Sequence, residues 1–112
     1  MDLVTGQLAR AHLRVEADYP DDQVLPYLAA AIEVAQQFMG RKLYADQAQL
    51  DAAVLAGTAA PFAMVMTAGV RAAILLILGN LHDNREDAVA ATAALGSASR
   101  ALLQPYRVEG GL

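Results

Sequence analysis

The chain has 112 residues, 56% of them hydrophobic, and this length suits one domain. It contains no cysteine, which excludes disulfides, thiolate metal sites and cysteine nucleophiles. The net charge of −4 argues against a protein whose main role is to bind nucleic acid, because such binding needs clustered Lys and Arg side chains to neutralise phosphates.

Capping residues and apolar spacing predict two helices in the first part of the chain. Thr5 is a good N-cap for a helix that runs to about Arg14. An acidic turn at residues 18–22 then breaks the chain and supplies aspartates for the electropositive start of a second helix. Gly40 marks the end of that helix. Its apolar face has steps of three and four residues: Leu25, Leu28, Ile32, Ala35 and Met39.

The middle segment, residues 41–60, allows two interpretations. In the first, Asp46 caps a short helix that ends at Gly57. In the second, a short extended segment forms around Leu43 and Tyr44.

The next segment is the most apolar of the chain. Either Pro61 or Thr67 opens a long helix that reaches Asn84, and residues 70–78 are apolar nearly all round. A helix of this kind is buried on most sides. We therefore expect either the central helix of a four-helix bundle or a helix that also meets another subunit.

An uncharged run at residues 52–70 is long enough for a membrane span. However, Gly57 and Pro61 place a turn inside it, and Arg71 closes it. The start of the chain also lacks the basic and apolar regions of a signal peptide. We therefore expect a soluble protein.

The C-terminal part predicts further short helices. Residues 87–95 are alanine-rich and favour a helix. Ser97 or Ser99 is expected to cap a last short helix that Pro105 ends, and residues 107–112 are expected to form a flexible tail. The predicted fold is all-α: a single domain over the whole chain, with about four to five helices around a central apolar helix.

Catalytic and metal-binding motifs are missing from the sequence. Nucleophile elbows, phosphate-binding glycine loops and dinucleotide fingerprints do not occur. His82 and Glu86 have the spacing of two ligands on one helical face, but a metal site needs further ligands. His12 is expected to be a partly buried packing residue. We therefore predict that the protein is not an enzyme and has no metal site and no cofactor.

Short motifs occur in an informative order along the chain. They are Ala9-Arg10-Ala11-His12-Leu13-Arg14-Val15, then Asn84-Arg85-Glu86 at the end of the long helix, then Leu102-Leu103-Gln104-Pro105-Tyr106-Arg107. In this order, and over roughly its whole length, the chain resembles the head–tail connector (adaptor) family of tailed bacteriophages and prophages.

The resemblance implies a structural, all-α subunit that assembles with copies of itself into a ring, expected to be twelvefold. The ring would sit beneath a portal protein and join it to the next tail-proximal connector or stopper protein. DNA would pass through its channel without specific binding, and no membrane is involved. The implied location is the virion head–tail junction, and the bacterial host cytoplasm during assembly.

Candidate contact residues for such a ring are Arg71, Asn84, Arg85, Glu86, Tyr106 and Arg107. Arg85 and Glu86 could serve opposite sides of a head-to-tail contact, or could simply be solvated at a helix end. Tyr106 and Arg107 could anchor the chain on a neighbour, or Tyr106 could fold back onto its own bundle. The alternative function is a small helical dimerisation or regulatory module that acts on a protein partner.

Overall fold

The computed structural model describes residues 3–83 and 95–108. In chain order, the elements are α1 (Gly6–Leu13), a 3₁₀ turn (Asp21–Gln23), α2 (Leu25–Met39), β1 (Leu43–Tyr44), α3 (Gln47–Ala56), β2 (Met64–Val65), α4 (Ala68–Asp83), α5 (Ser97–Leu103) and a second 3₁₀ turn (Gln104–Tyr106). The predicted class, a small helical bundle, is confirmed. Within the described ranges, the extended elements are only the two strands of two residues each.

Helix α1 begins and ends close to the predicted positions, and α2 ends where predicted. The Thr5 hydroxyl accepts a hydrogen bond from the Leu8 N–H at 3.1 Å and so caps α1. Gly40 follows α2 with a φ of 70°, a left-handed conformation that glycine adopts without steric cost. Arg14 follows α1 in the same region, with a φ of 61°.

The start of α2 differs from the prediction. The acidic turn forms a separate 3₁₀ turn, and Pro26 lies in the first turn of α2, where a missing N–H is tolerated. The predicted apolar face is wrong at Leu25, which is 42% exposed, whereas Ile32 is half-buried and packs against the core. The buried face of α2 consists of Leu28, Ala31, Val34, Ala35 and Met39.

Both interpretations of the middle segment are confirmed. Asp46 caps α3 by accepting a 2.9 Å hydrogen bond from a backbone N–H, and Gly57 ends the helix with a φ of 72°. Strand β1 pairs in parallel with β2, Leu43 opposite Met64. The sequence does not predict β2, because two residues are too few to show an alternating pattern.

Helix α4 is the centre of the bundle. Thr67, not Pro61, opens it, because the Thr67 hydroxyl accepts the Val70 N–H at 3.2 Å. Packing against α2 and α5 leaves Ile77 0% exposed, whereas the preceding Leu76, about 100° around the helix, is 37% exposed. The expectation of a central helix is therefore confirmed, while contact with another subunit stays a prediction. The predicted last residue, Asn84, lies outside the described residues.

The predicted cap of the last helix is wrong. Gly96 occupies the N-cap position of α5, Ser97 is the first helical residue, and Ser99 is buried within the helix. Pro105 lies in the 3₁₀ turn that directly continues α5, so the α-helix ends two residues before it.

The predicted flexible tail is described only at residues 107 and 108. The Val108 N–H donates a hydrogen bond to the Met39 carbonyl at 2.8 Å, which holds this part of the chain against the end of α2. Residues 109–112 lie outside the described ranges, as does the alanine-rich stretch up to residue 94.

The two sides of α4 should respond differently to truncation. We expect Ile77→Ala to lower the free energy of unfolding by about 2–5 kcal/mol, because it leaves a cavity in the core. Leu76→Ala should cost at most about half as much, since less of that side chain leaves water on folding. Urea denaturation of both variants measures the difference, and equal losses would contradict this burial of α4.

Candidate functional site

The structure describes three of the predicted contact residues. Arg71 is half-buried near the start of α4, and Tyr106 is partly buried against the core, as expected if it folds back onto its own bundle. The Arg107 guanidinium is exposed and lies 5.0 Å from the centre of the Phe38 ring. Three further predicted residues lie outside the described ranges: Asn84, Arg85 and Glu86.

A second arginine joins Arg107 at Phe38. The Arg100 guanidinium lies 5.8 Å from the ring centre, and its Nε donates to the Leu95 carbonyl at 3.2 Å. Each cation is attracted by the negative face of the ring. Sequence reasoning missed Arg100 and Phe38, because only the packing of the C-terminal segment on α2 brings them together.

Arg41 connects three parts of the chain. Its Nε donates to the Tyr106 carbonyl at 2.7 Å, and its Nη1 donates to the Phe62 carbonyl at 3.3 Å. The side chain therefore ties the end of α2 to both the α3–β2 connection and the C-terminal turn. Sequence reasoning assigned it no role, and no local pattern could have done so, because both acceptors are backbone atoms distant in sequence.

Basic side chains collect at one end of the bundle. The pairing of β1 with β2 brings the end of α2 to the start of α4, and the C-terminal turn lies there as well. The basic residues at this end are Arg41, Lys42, Arg71, Arg100 and Arg107. Two acidic residues are also present, Asp46 as the N-cap of α3 and Asp51 within α3. Both accept hydrogen bonds from neutral donors and keep their negative charge, so the basic residues at this end outnumber the acidic ones by five to two.

Acidic side chains collect at the other end, before the start of α2. Four exposed carboxylates lie there: Glu16, Asp18, Asp21 and Asp22. Arg10 forms an ion pair with Asp21 and donates to the Tyr19 carbonyl at 3.0 Å. Arg14 is also exposed here, so the acidic residues at this end outnumber the basic ones by four to two. The two ends of the molecule thus carry opposite charge.

Helix α3 and the loop after it expose an unusual amount of apolar surface. No residue of α3 is fully buried. Val54 is 61% exposed, Leu55 is 90% exposed, and Phe62 is 60% exposed. Phe62 also has a φ of 60°, which is strained for an aromatic residue. We call these three residues the α3 patch; large apolar side chains left in water are a common feature of binding surfaces.

An apolar groove runs along the first half of α2, beside the N-terminal segment. Its volume is about 370 Å³. The residues that line it include Leu3, Val4, Leu25, Leu28, Ala29 and Ile32, which we call the α2 groove. The groove explains why Leu25 and Ile32 are less buried than predicted: they face its open side.

The two histidines are packing or surface residues in this fold. His82 is buried and meets the rings of Tyr19 and Tyr27 edge-on, at 6.0 and 6.2 Å between ring centres. His12 is exposed, so the expectation of partial burial is wrong. Residues 3–83 and 95–108 contain no group of His, Asp and Glu residues that could hold a metal ion.

None of the helices in the described part of the chain is long and apolar enough to cross a membrane. Comparison with known proteins finds no family model, no curated protein and no solved structure that matches this chain.

Replacement of Arg41 tests its connecting role. We expect Arg41→Ala to lower the free energy of unfolding by about 1–3 kcal/mol, because it removes two hydrogen bonds from a charged donor. Lys42→Ala, at the neighbouring exposed position, should change it by less than about 0.5 kcal/mol. Thermal or urea denaturation compares the two variants. A similar small effect of both changes would show that these hydrogen bonds do not hold the C-terminal turn.

Proposed function

We propose that this protein is the structural subunit of a phage or prophage head–tail connector ring. The ring docks beneath the portal protein, links it to the next tail-proximal protein and leaves a channel for DNA. The order of the sequence motifs and the helical bundle support the proposal. The observation that carries it is that one small domain presents two different surfaces suited to association, the α3 patch and the α2 groove, and opposite charge at its two ends.

Two different surfaces on each copy are what a ring requires. A contact between unlike surfaces is heterologous, and it generates a ring when the rotation between copies closes. Opposite charge at the two ends favours such head-to-tail contact and disfavours contact between like ends. The net charge of −4 also suits a channel wall past which DNA slides, because phosphates are not strongly held by it.

The predicted contact residues take different roles in this proposal. Arg71 and Arg107 belong to the basic end, where they are available to a neighbour or to the portal. Tyr106 acts within the subunit, since its side chain packs on the core and its carbonyl is held by Arg41. The motif at residues 84–86, which follows α4 in the sequence, stays a candidate contact.

A second candidate function is a small helical dimerisation or regulatory module. The observation that favours it is the exposure of Val54 and Leu55 on a single helix, since two copies of α3 could pair symmetrically. Such a module would form a stable dimer and no larger species.

Native mass over a wide concentration range tests the two functions. We expect closed rings of about a dozen copies, visible by negative-stain microscopy, because a heterologous contact repeats until it closes. A concentration-independent dimer would contradict the connector function and favour the regulatory module. A chain that remains monomeric in isolation would make binding to the portal protein the deciding measurement.

A further inference from the structure

We infer that copies of this chain join end to end, with the acidic turn and Leu25 of one copy docked on the Phe38 site of the next. The Phe38 site is the cleft beside the Phe38 ring together with the two arginines at that ring: Val34, Gln37, Phe38, Leu95, Arg100 and Arg107. The inference rests on the proposed function, because it names the surfaces that meet in the head-to-tail contact.

The two guanidinium groups of the Phe38 site have no carboxylate partner within residues 3–83 and 95–108. In the same ranges the Arg107 side chain makes no hydrogen bond, and Arg100 uses only its Nε, which donates to the Leu95 carbonyl. Each guanidinium carries five N–H donors, so most of them remain open to an acceptor. Contact with the ring, at 5.0 and 5.8 Å, holds both cations at one place. The site therefore offers positioned donors to carboxylates.

The cleft of the Phe38 site has the size of a side chain rather than of a small-molecule ligand. Its volume is about 200 Å³, whereas pockets for small molecules begin at about 300 Å³. Val34 and Leu95, both buried apolar residues, contribute to its lining. An aliphatic side chain that stands next to carboxylates on a protein partner therefore fits this site.

The start of α2 presents a group of this kind. Leu25 is 42% exposed, and Asp22, three residues earlier, is exposed as well. The backbone between them is ordered, since the Gln23 N–H donates to the Pro20 carbonyl at 3.0 Å. A segment that is ordered before contact loses little conformational entropy on binding.

The other charged residues at the two ends leave this complementarity intact. Acidic residues outnumber basic ones by four to two at the acidic end, and basic residues outnumber acidic ones by five to two at the basic end. Glu33 of α2 is a third acidic residue to count there, because its carboxylate accepts a 3.1 Å hydrogen bond from Gln37. It precedes Phe38 by five positions, a rotation of about 140° around the helix, so the two side chains leave α2 in different directions. The basic end still has an excess of positive charge.

Contact between like ends is disfavoured by the same charges. Two Phe38 sites face to face would bring four guanidinium groups together, and two acidic turns would bring their carboxylates together. A copy cannot fill its own site, because Leu25 and Phe38 are about 20 Å apart along the axis of α2. Every copy carries both surfaces, so the occupant of the Phe38 site is a second copy.

Disulfide capture between two single-cysteine variants tests which surfaces meet. The chain has no cysteine, so Gln23→Cys and Gln37→Cys each carry one thiol, at exposed positions beside the acidic turn and in the Phe38 site. One variant is enlarged by a tag, and the mixture is oxidised. We expect mixed dimers to exceed each kind of like dimer at least about fivefold, since a disulfide requires Cα atoms within about 7 Å. In the matched control, Leu55→Cys replaces Gln37→Cys and should give no such excess, although that position is more exposed.

Charge exchange measures the same contact without cysteine. We expect Asp22→Lys and Arg107→Glu each to weaken self-association at least about tenfold, and the double variant to regain most of the loss. Both positions are exposed, so the thermal unfolding midpoint should hardly change. Glu33→Gln should strengthen association, because it removes a negative charge near the site.

The matched control for Arg107→Glu is Lys42→Glu, the same change of charge at an exposed position of the basic end. It should weaken association by less than about threefold, because Lys42 is not part of the Phe38 site. Equal losses for the two variants would overturn the assignment of the contact to the Phe38 site.

The outcomes separate the inference from the proposed function. If rings form but mixed dimers do not exceed the Leu55→Cys control, the contact is wrong and the connector function stands. If mixed dimers form in open chains that never close, the contact stands and the connector function fails. If the chain is only a stable dimer, both fail, because a contact between unlike ends continues to grow. A chain that is monomeric at about 1 mM and gives no mixed dimers overturns the contact, since complementary ends on every copy would associate at that concentration.

Discussion

The burial of α4 is the constraint on which the rest of the structure depends. Five of its residues are fully removed from water, namely Val70, Ala73, Ile74, Ile77 and Leu78, and this requires cover by thin, alanine-rich helices. Helices α2 and α5 supply nearly equal shares of that cover, and α1 supplies a smaller one. The buried apolar faces of α2 and α5 therefore pack on α4. What remains for α3 is contact with the two short strands, and no residue of α3 is fully buried.

Arg41 holds two segments outside this core in place, the α3–β2 connection and the C-terminal turn. Its two hydrogen bonds hold the α3–β2 connection and the C-terminal turn to the same end of α2. As a result, Phe62 is presented outward rather than folded onto the core, and Arg107 is placed over Phe38. Arg41 thus helps to position both the apolar Phe62 and the basic Arg107, although it donates hydrogen bonds only to backbone carbonyls.

Features set by nearby residues could be predicted from the sequence, whereas features set by distant contacts could not. Thr5, Gly40 and Asp46 mark helix ends because each acts on its own turn of backbone. The hydrogen bond from Arg41 to Tyr106 joins residues 65 positions apart, and no local periodicity encodes it. The exposure of Leu25 was missed for a related reason: the spacing defines an apolar face but not which part of it another element covers.

The exposure of α3 links stability to assembly. A domain of 112 residues buries a modest fraction of its surface, so its net stability is small. Each large apolar side chain that stays in water contributes no burial energy to the folded monomer. A partner that covers Leu55 and Phe62 supplies part of that burial, and by mass action it stabilises the folded state in proportion to its concentration and affinity. Binding of such a partner would compensate the cost of leaving these side chains exposed in the free chain. In the free chain, the exposure of Leu55 and Phe62 lowers the stability that the fold could otherwise gain from burying them.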